Sequence, residues 1–126
     1  MKKINPRELK RFEIKTQKDI DILEGISFGF HDAYILNYTE TEENIIVRFD
    51  TTWNCYITVS FEEVVKADFK EKVGMILASE IKKTETGFSF KVTDGFAGWI
   101  DGCNYDIDME EPYIESKKIF WQIEIV

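Results

Sequence analysis

The chain has 126 residues, of which 44% are hydrophobic and 14% aromatic, and this composition predicts a single packed domain rather than a disordered chain. Acidic residues outnumber basic ones by 24 to 16, and the net charge of −8 opposes binding to phosphate backbones. No stretch is apolar enough for a membrane span, and the N-terminal MKKINPRELKRF has no apolar core of a signal peptide, so we expect a cytoplasmic protein.

The first predicted element is a short helix at residues 16–25, TQKDIDILEG. Thr16 can cap its N-terminus with Asp19 at the third helical position, and Gly25 can end it in a left-handed conformation. Its expected apolar stripe consists of Ile20, Leu23 and Ile26.

From residue 33 onward, apolar and polar residues alternate with the period of a half-buried strand. The first two runs form a predicted hairpin around the acidic turn ETEEN, residues 40–44. Six runs have the alternation: residues 34–38, 45–49, 55–61, 88–93, 103–109 and 119–125.

Residues 61–81 fit a helix or a strand. Apolar residues recur there at every fourth position, but a step of four overshoots each helical turn by about 40°, so the residues would spiral around a helix. We predict instead that the third strand runs on past Phe61 and that a short helical or irregular piece follows near residues 68–75. A strand at residues 79–84 would then pair with residues 88–93.

Together these elements predict an α+β fold that is mainly β. It has a short N-terminal helix and an antiparallel sheet of about six or seven strands, which extends from about residue 33 to residue 126. We expect a curled sheet or a sandwich, but the alternation does not determine whether the sheet is open, curled or sandwiched.

His31 is the only histidine and is followed by Asp32 in the stretch FGFHDAYILNY. A metal-dependent phosphohydrolase or an HNH-type nuclease needs further histidines, and no serine or cysteine lies in a nucleophile-elbow sequence such as GxSxG. We interpret His31 and Asp32 as a structural corner at the start of the first strand. A metal-dependent hydrolase centred on this pair remains an alternative.

The acidic run DGCNYDIDMEEP, residues 101–112, has some of its oxygen-bearing side chains at calcium-loop spacing. Met109 stands where such a loop needs glycine, and the alternation predicts a strand with carboxylates on its solvent-facing side. We therefore expect no metal and no cofactor.

Aromatic and acidic residues near the strand ends are candidates for a protein-binding surface, because aromatic side chains are over-represented at binding hot spots. An acidic surface suits a basic protein partner, although solvated acids also keep sheet edges from pairing with other chains. The candidate binding residues are Trp53, Trp99, Glu42, Glu43, Asp101, Asp106, Asp108 and Glu110.

The segments FHDAYILNY, IIVRFD and YITVSFEEV, followed by a late DG turn, resemble a set of small bacterial domains, some of which are predicted immunity proteins of polymorphic-toxin systems. The resemblance covers most of the chain from Phe28 onward and matches at His31, Asp32 and Ala33. It implies a non-enzymatic protein that neutralises a toxin, and it carries over no catalytic residue.

Three hypotheses thus remain. The first is an acidic protein-binding domain, an immunity protein in its narrower form, with a basic toxin as partner. The second is the hydrolase centred on His31 and Asp32. The third is a small-molecule-binding module in which Phe28, Phe30, Tyr34 and a tryptophan line a pocket.

Overall fold

The computed structural model describes residues 10–52, 55–69, 75–76, 78–93, 96–100, 104–108 and 112–125, with only the backbone of Met75, 96–100 and 104–108. In these ranges the chain forms one α-helix, one short 3₁₀ turn and ten antiparallel strands, and no helix is long and apolar enough to cross a membrane. The elements are β1 (Phe12–Ile14), α1 (Gln17–Ser27), the 3₁₀ turn (Phe28–Phe30), β2 (Tyr34–Glu40), β3 (Ile45–Asp50), β4 (Cys55–Asp68), β5 (Met75–Ile76), β6 (Ser79–Lys83), β7 (Phe88–Val92), β8 (Phe96–Ile100), β9 (Asn104–Asp108) and β10 (Tyr113–Ile125).

The predicted fold class is confirmed: the described residues are mainly β, with an unclosed antiparallel sheet and one short helix. The sheet order is β6-β7-β10-β4-β3-β2-β5-β8-β9, and β1 pairs with β10 beside β7. Seven of these strands match predicted runs. The other three, β1, β5 and β8, are too short or too rich in small residues for the alternation to reveal them.

The segment after the third predicted strand has the predicted extended form where it is described. Strand β4 continues beyond Phe61 to Asp68, and β6 pairs with β7 along five residues. Glu63 interrupts β4 with a left-handed backbone (φ 54°), and the register with β10 shifts close to it. The irregular piece predicted near residues 68–75 lies mostly outside the described residues.

The sheet curls strongly, so that its inner face encloses the core. Phe49 in β3 and Phe90 in β7 are three strands apart in the sheet order, roughly 14 Å in a flat sheet. Their ring centroids are nevertheless only 6.2 Å apart. Phe30 packs against both rings, with its ring centroid 4.5 Å from that of Phe49 and 5.9 Å from that of Phe90. Of the open, curled and sandwiched arrangements that the sequence does not distinguish, the described residues form the curled sheet.

Helix α1 begins as predicted. The backbone N–H of Asp19 donates to Thr16 Oγ1 (3.3 Å), and Asp19 Oδ2 accepts from the backbone N–H groups of Lys15 (2.9 Å) and Thr16 (3.0 Å). These bonds form a capping box, which satisfies N–H groups that have no partner inside the helix. Ile20 and Leu23 are fully buried in the core.

The predicted end of the helix is wrong. The helix continues through Gly25 to Ser27, and Phe28 rather than Gly25 has the left-handed conformation. Ser27 is fully buried, so packing of the last turn outweighs the helix-ending tendency of Gly25. Ile26 was expected in the apolar stripe but is 38% exposed, because Ser27 occupies the buried position one turn after Leu23.

The capping box predicts that truncation of Thr16 destabilises the protein measurably. Thr16→Ala should lower the free energy of unfolding by about 1 kcal/mol, because the N–H of Asp19 loses its acceptor. Urea denaturation measures the change. Thr86→Ala, at an exposed position between β6 and β7, is the matched control and should change it by less than about 0.5 kcal/mol. Equal losses in the two variants would contradict the capping role.

Asp19 also predicts a pH dependence. The hydrogen bonds from the backbone of Lys15 and then Thr16 lower the pKa of Asp19 below its ordinary value. Its contribution to stability is therefore present above the ordinary carboxylate pKa and is lost as the pH falls through the lowered folded-state pKa. The stability difference between the wild type and Asp19→Asn should narrow on acidification, and a constant difference would contradict this linkage.

Candidate functional site

The corner between α1 and β2 is the most contorted part of the described backbone. The corner segment, Phe28–Asp32, has the sequence FGFHD, and all of its residues except His31 are left-handed. Their φ angles are 53° for Phe28, 63° for Gly29, 56° for Phe30 and 66° for Asp32. Residues other than glycine pay roughly 1–2 kcal/mol each for this conformation, so surrounding contacts have to hold the segment in place.

Hydrogen bonds and burial supply those contacts. The backbone N–H of Asp32 donates to Ile76 O (2.8 Å), and Thr52 Oγ1 donates to Asp32 O (3.2 Å). Ser79 Oγ donates to Gly29 O (2.6 Å). Phe30 is 1% exposed and fills the inside of the curled sheet. The corner segment is therefore fixed by its backbone bonds and by one buried ring.

The structure places His31 and Asp32 in the turn just before β2, on the surface. His31 Nε2 lies 3.4 Å from Asp32 Oδ1, and their side chains are 55% and 35% exposed. The hydrogen bonds that fix the corner use the backbone of Asp32 rather than its carboxylate. Within the described ranges, no group of three His, Cys, Asp or Glu side chains has the arrangement of a metal site.

The three rings proposed to line a small-molecule pocket have different surroundings. Phe30 is buried in the core, whereas Phe28 and Tyr34 are exposed, Phe28 by more than half of its surface. Exposed apolar side chains thus flank the His31–Asp32 pair on both sides along the chain.

Another ionisable group, Tyr38, lies in β2. Its hydroxyl lies 2.9 Å from Phe69 O and 3.1 Å from Glu40 Oε2. Burial, and then the neighbouring carboxylate of Glu40, raise the pKa of Tyr38 to about 12. The hydroxyl therefore stays protonated at neutral pH, so its part here is that of a hydrogen-bonding group rather than of a base.

The candidate binding residues fall into three groups. Glu42 and Glu43 are exposed in the β2–β3 turn. Trp99 lies in β8 and Asp106 and Asp108 lie in β9, where only the backbone is described. The remaining candidates, Trp53, Asp101 and Glu110, lie outside the described residues.

Strand pairing brings β9 towards the corner segment. Ile76, whose carbonyl accepts the N–H of Asp32, pairs with Phe96, and Phe96 pairs with Asp108. Asp108 is thus about three strand spacings, roughly 14 Å, from Asp32 along this row. The structure therefore joins two regions that are over 70 positions apart in the sequence.

The β2–β3 turn lies at the other end of β2, roughly 20 Å from the corner segment. It packs on the irregular part of β4, where the backbone N–H of Val64 donates to Glu43 O (2.8 Å). An open pocket of about 370 Å³ lies there. It is lined by Glu43, Glu63, Val64, Val65 and Lys117. Lys118 Nζ is 3.5 Å from Glu63 Oε2, so this lysine partly offsets the charge of Glu63.

Sequence reasoning missed an informative property of the chain, which is that lysine and arginine are absent from two long segments. We define the base-free segments as residues 19–47 and 92–116, which contain no lysine or arginine. They carry a net charge of −14, and the rest of the chain carries +6. Their acids are Asp19, Asp21, Glu24, Asp32, Glu40, Glu42, Glu43, Asp94, Asp101, Asp106, Asp108, Glu110, Glu111 and Glu115.

The fold places strands of the two base-free segments close together at one end of the strand order. Strand β2 belongs to the first segment, and β8 and β9 belong to the second. In the sheet order β2-β5-β8-β9, only the two residues of β5 separate them. A count of bases along the sequence reveals the two segments, but only the strand order shows that they adjoin.

Comparisons of the chain with protein-family models, with curated proteins and with solved structures gave no match. The function is therefore argued from the charge, exposure and geometry of the surface.

Proposed function

We propose that this chain is a non-enzymatic protein-binding domain that recognises a basic partner protein through the base-free segments. The observation that carries the proposal is that these segments have a net charge of −14, whereas the rest of the chain has a net charge of +6. Acids at the nearby strands β2 and β9 attract a cationic protein and also orient it, because complementary potentials act before contact. In its narrower form the proposal is that of an immunity protein that covers the phosphate-binding surface of a basic toxin.

The proposed interface runs from the corner segment along β2 to the β2–β3 turn. This length of roughly 20 Å is compatible with a standard interface of about 800 Å² per partner. The exposed aromatic rings of Phe28 and Tyr34 supply apolar contact at one end, and Glu42 and Glu43 supply charge at the other. The other proposed contact residues are Trp53, Trp99, Asp101, Asp106, Asp108 and Glu110.

Charge reversal in the β2–β3 turn tests the proposal. The double variant Glu42→Lys/Glu43→Lys should weaken binding to the purified product of the neighbouring gene by at least about tenfold, because it places two cations where the partner is cationic. The effect should shrink as salt is raised, because the charges are exposed and therefore screened. Isothermal titration calorimetry at low and at physiological salt measures both quantities.

The matched control changes the net charge by the same amount as the Glu42/Glu43 variant, but outside the base-free segments. Glu13→Lys/Glu85→Lys alters two acids outside the base-free segments and should weaken binding far less. Equal weakening in both double variants would mean that only total charge matters, which contradicts the proposed location. If the wild type binds the neighbouring gene product at neither salt concentration, the proposed function is wrong.

A further inference from the structure

The two ends of the strand order differ in how their outer edges are covered. At one end lies β6, whose backbone N–H at Ile81 donates to Glu24 Oε1 (3.0 Å) instead of to β7. Ser79 Oγ, also in β6, donates to Gly29 O (2.6 Å) in the corner segment. Helix α1 and the corner segment thus take up polar groups of this edge strand. An edge covered in this way is a poor template for a further strand.

Strand β9 lies at the other end of the strand order. It pairs with β8 in five residue pairs, and β8 is its one partner among the strands in the described ranges. In an antiparallel pair, every second residue directs its N–H and C=O towards the neighbouring strand, and the residues between direct theirs away from it. The outer edge of β9 therefore has backbone donors and acceptors that none of the described strands takes up.

The residues of β9 give this edge a single sign of charge. Asp106 and Asp108 share one face of the strand with Asn104, and Tyr105 and Ile107 share the other. Natural proteins often place lysine on an edge strand, where it hinders pairing with other chains. Strand β9 lies in the second base-free segment, so it lacks that protection.

The charge also distinguishes between two possible occupants of the edge. Pairing of β9 with β9 of a second copy, centred on Asp106, would place aspartates directly opposite each other, and like charges in such positions are destabilising. A strand with lysine or arginine at every second position would place opposite charges there instead. The edge therefore suits a basic strand better than a second copy of this chain.

We propose that the outer edge of β9 accepts an extended segment of the basic partner as an additional strand, in which basic and apolar residues alternate. The proposal rests on the proposed function and deepens it, because it names the element of the partner that binds here. In this mode of recognition, main-chain hydrogen bonds supply affinity and alternate side chains supply specificity. The added strand would lie about four strand spacings, roughly 19 Å, from β2 in the strand order.

Backbone hydrogen exchange of the wild type tests the added strand directly. Amide exchange is measured by NMR for the free protein and for its complex with the purified neighbouring gene product. In the complex, every second amide of β9 should exchange at least about tenfold more slowly, because it donates to the added strand. The amides of β6 are the internal control and should not change, since the N–H of Ile81 already has an acceptor.

A charge-neutral variant tests the basic character of the added strand. Asp106→Asn/Asp108→Asn keeps the size of both side chains and removes both charges. At low salt, the dissociation constant for the neighbouring gene product should rise about threefold to tenfold. Glu13→Gln/Glu85→Gln is the matched control, because it removes two charges outside the base-free segments and should have a smaller effect.

Four results would contradict the proposal in distinguishable ways. A complex without slower exchange in β9 would remove the added strand and leave the proposed function intact. Slower exchange in β9 together with unchanged affinity of the aspartate variant would show that the added strand is not basic. A free wild type that dimerises, with its β9 amides protected, would make a second copy the occupant. A wild type that does not bind the neighbouring gene product would remove the proposed function and the added strand with it.

Discussion

Phe30→Ala should lower the free energy of unfolding by about 3–5 kcal/mol. The ring of Phe30 is 1% exposed and packs against Phe49 and Phe90, whose strands are three apart in the sheet order. It therefore fills the space that the curl of the sheet encloses. The hydrogen bonds of Asp32 and Ser79 to nearby backbone hold the corner segment in place, so the neighbours can close only part of the resulting cavity.

Urea denaturation followed by tryptophan fluorescence measures this loss. Phe30→Leu retains much of the volume and should lose about half as much, which keeps the prediction testable if the alanine variant does not fold. Leu36→Ala is the exposed control in β2 and should change the free energy of unfolding by less than about 0.5 kcal/mol. A loss below about 1 kcal/mol for Phe30→Ala would contradict the central position of the ring.

Gly87→Ala should lower the free energy of unfolding by about 3 kcal/mol or more. A Cβ at position 87 would lie 2.2 Å from Ser116 O and 2.6 Å from Lys117 Cα. Both atoms belong to the backbone of β10, which pairs with β4 and β7 at this point and cannot move aside without breaking those pairings. The β6–β7 turn therefore requires a residue with no side chain.

Gly25→Ala is the matched control for this prediction. Gly25 lies within α1 and a Cβ there would meet no atom within 4 Å, so alanine should raise the free energy of unfolding by about 0.5–1 kcal/mol. The same substitution should thus lower the free energy of unfolding at position 87 and raise it at position 25. A Gly87→Ala variant as stable as the wild type would mean that β10 does not pass as close to the turn as the structure places it.

The predicted and observed elements agree where one local rule acts alone. The capping box at Thr16 and Asp19 is present because it involves only residues three apart in the sequence. The alternating runs form strands because a strand places every second side chain on the same face. The prediction failed at Gly25, where burial of Ser27 two residues later extends the helix. A prediction from local sequence fails where contacts with another element outweigh the local preference.

The site could be predicted only in part for the same reason. Acidic residues and exposed aromatic residues are visible in the sequence as types, and the base-free segments can be counted directly. The left-handed backbone at Phe28 could not be predicted, because glycine-like conformations at phenylalanine follow no local rule. Strands β5 and β8 connect the corner segment to β9, but neither shows a period, because β5 has only two residues and β8 has Ala97 and Gly98 at its centre.

The sequence by itself determined the class of the fold, the N-terminus of the helix and the division of charge between the base-free segments and the rest of the chain. These properties depend on side-chain type and on spacings of two to four residues. Only the tertiary structure decided that the sheet curls around Phe30, that β9 approaches the corner segment and that Phe28 faces solvent. Such features arise from pairings between distant strands, whose order and register depend on the packing of the whole core rather than on any one segment.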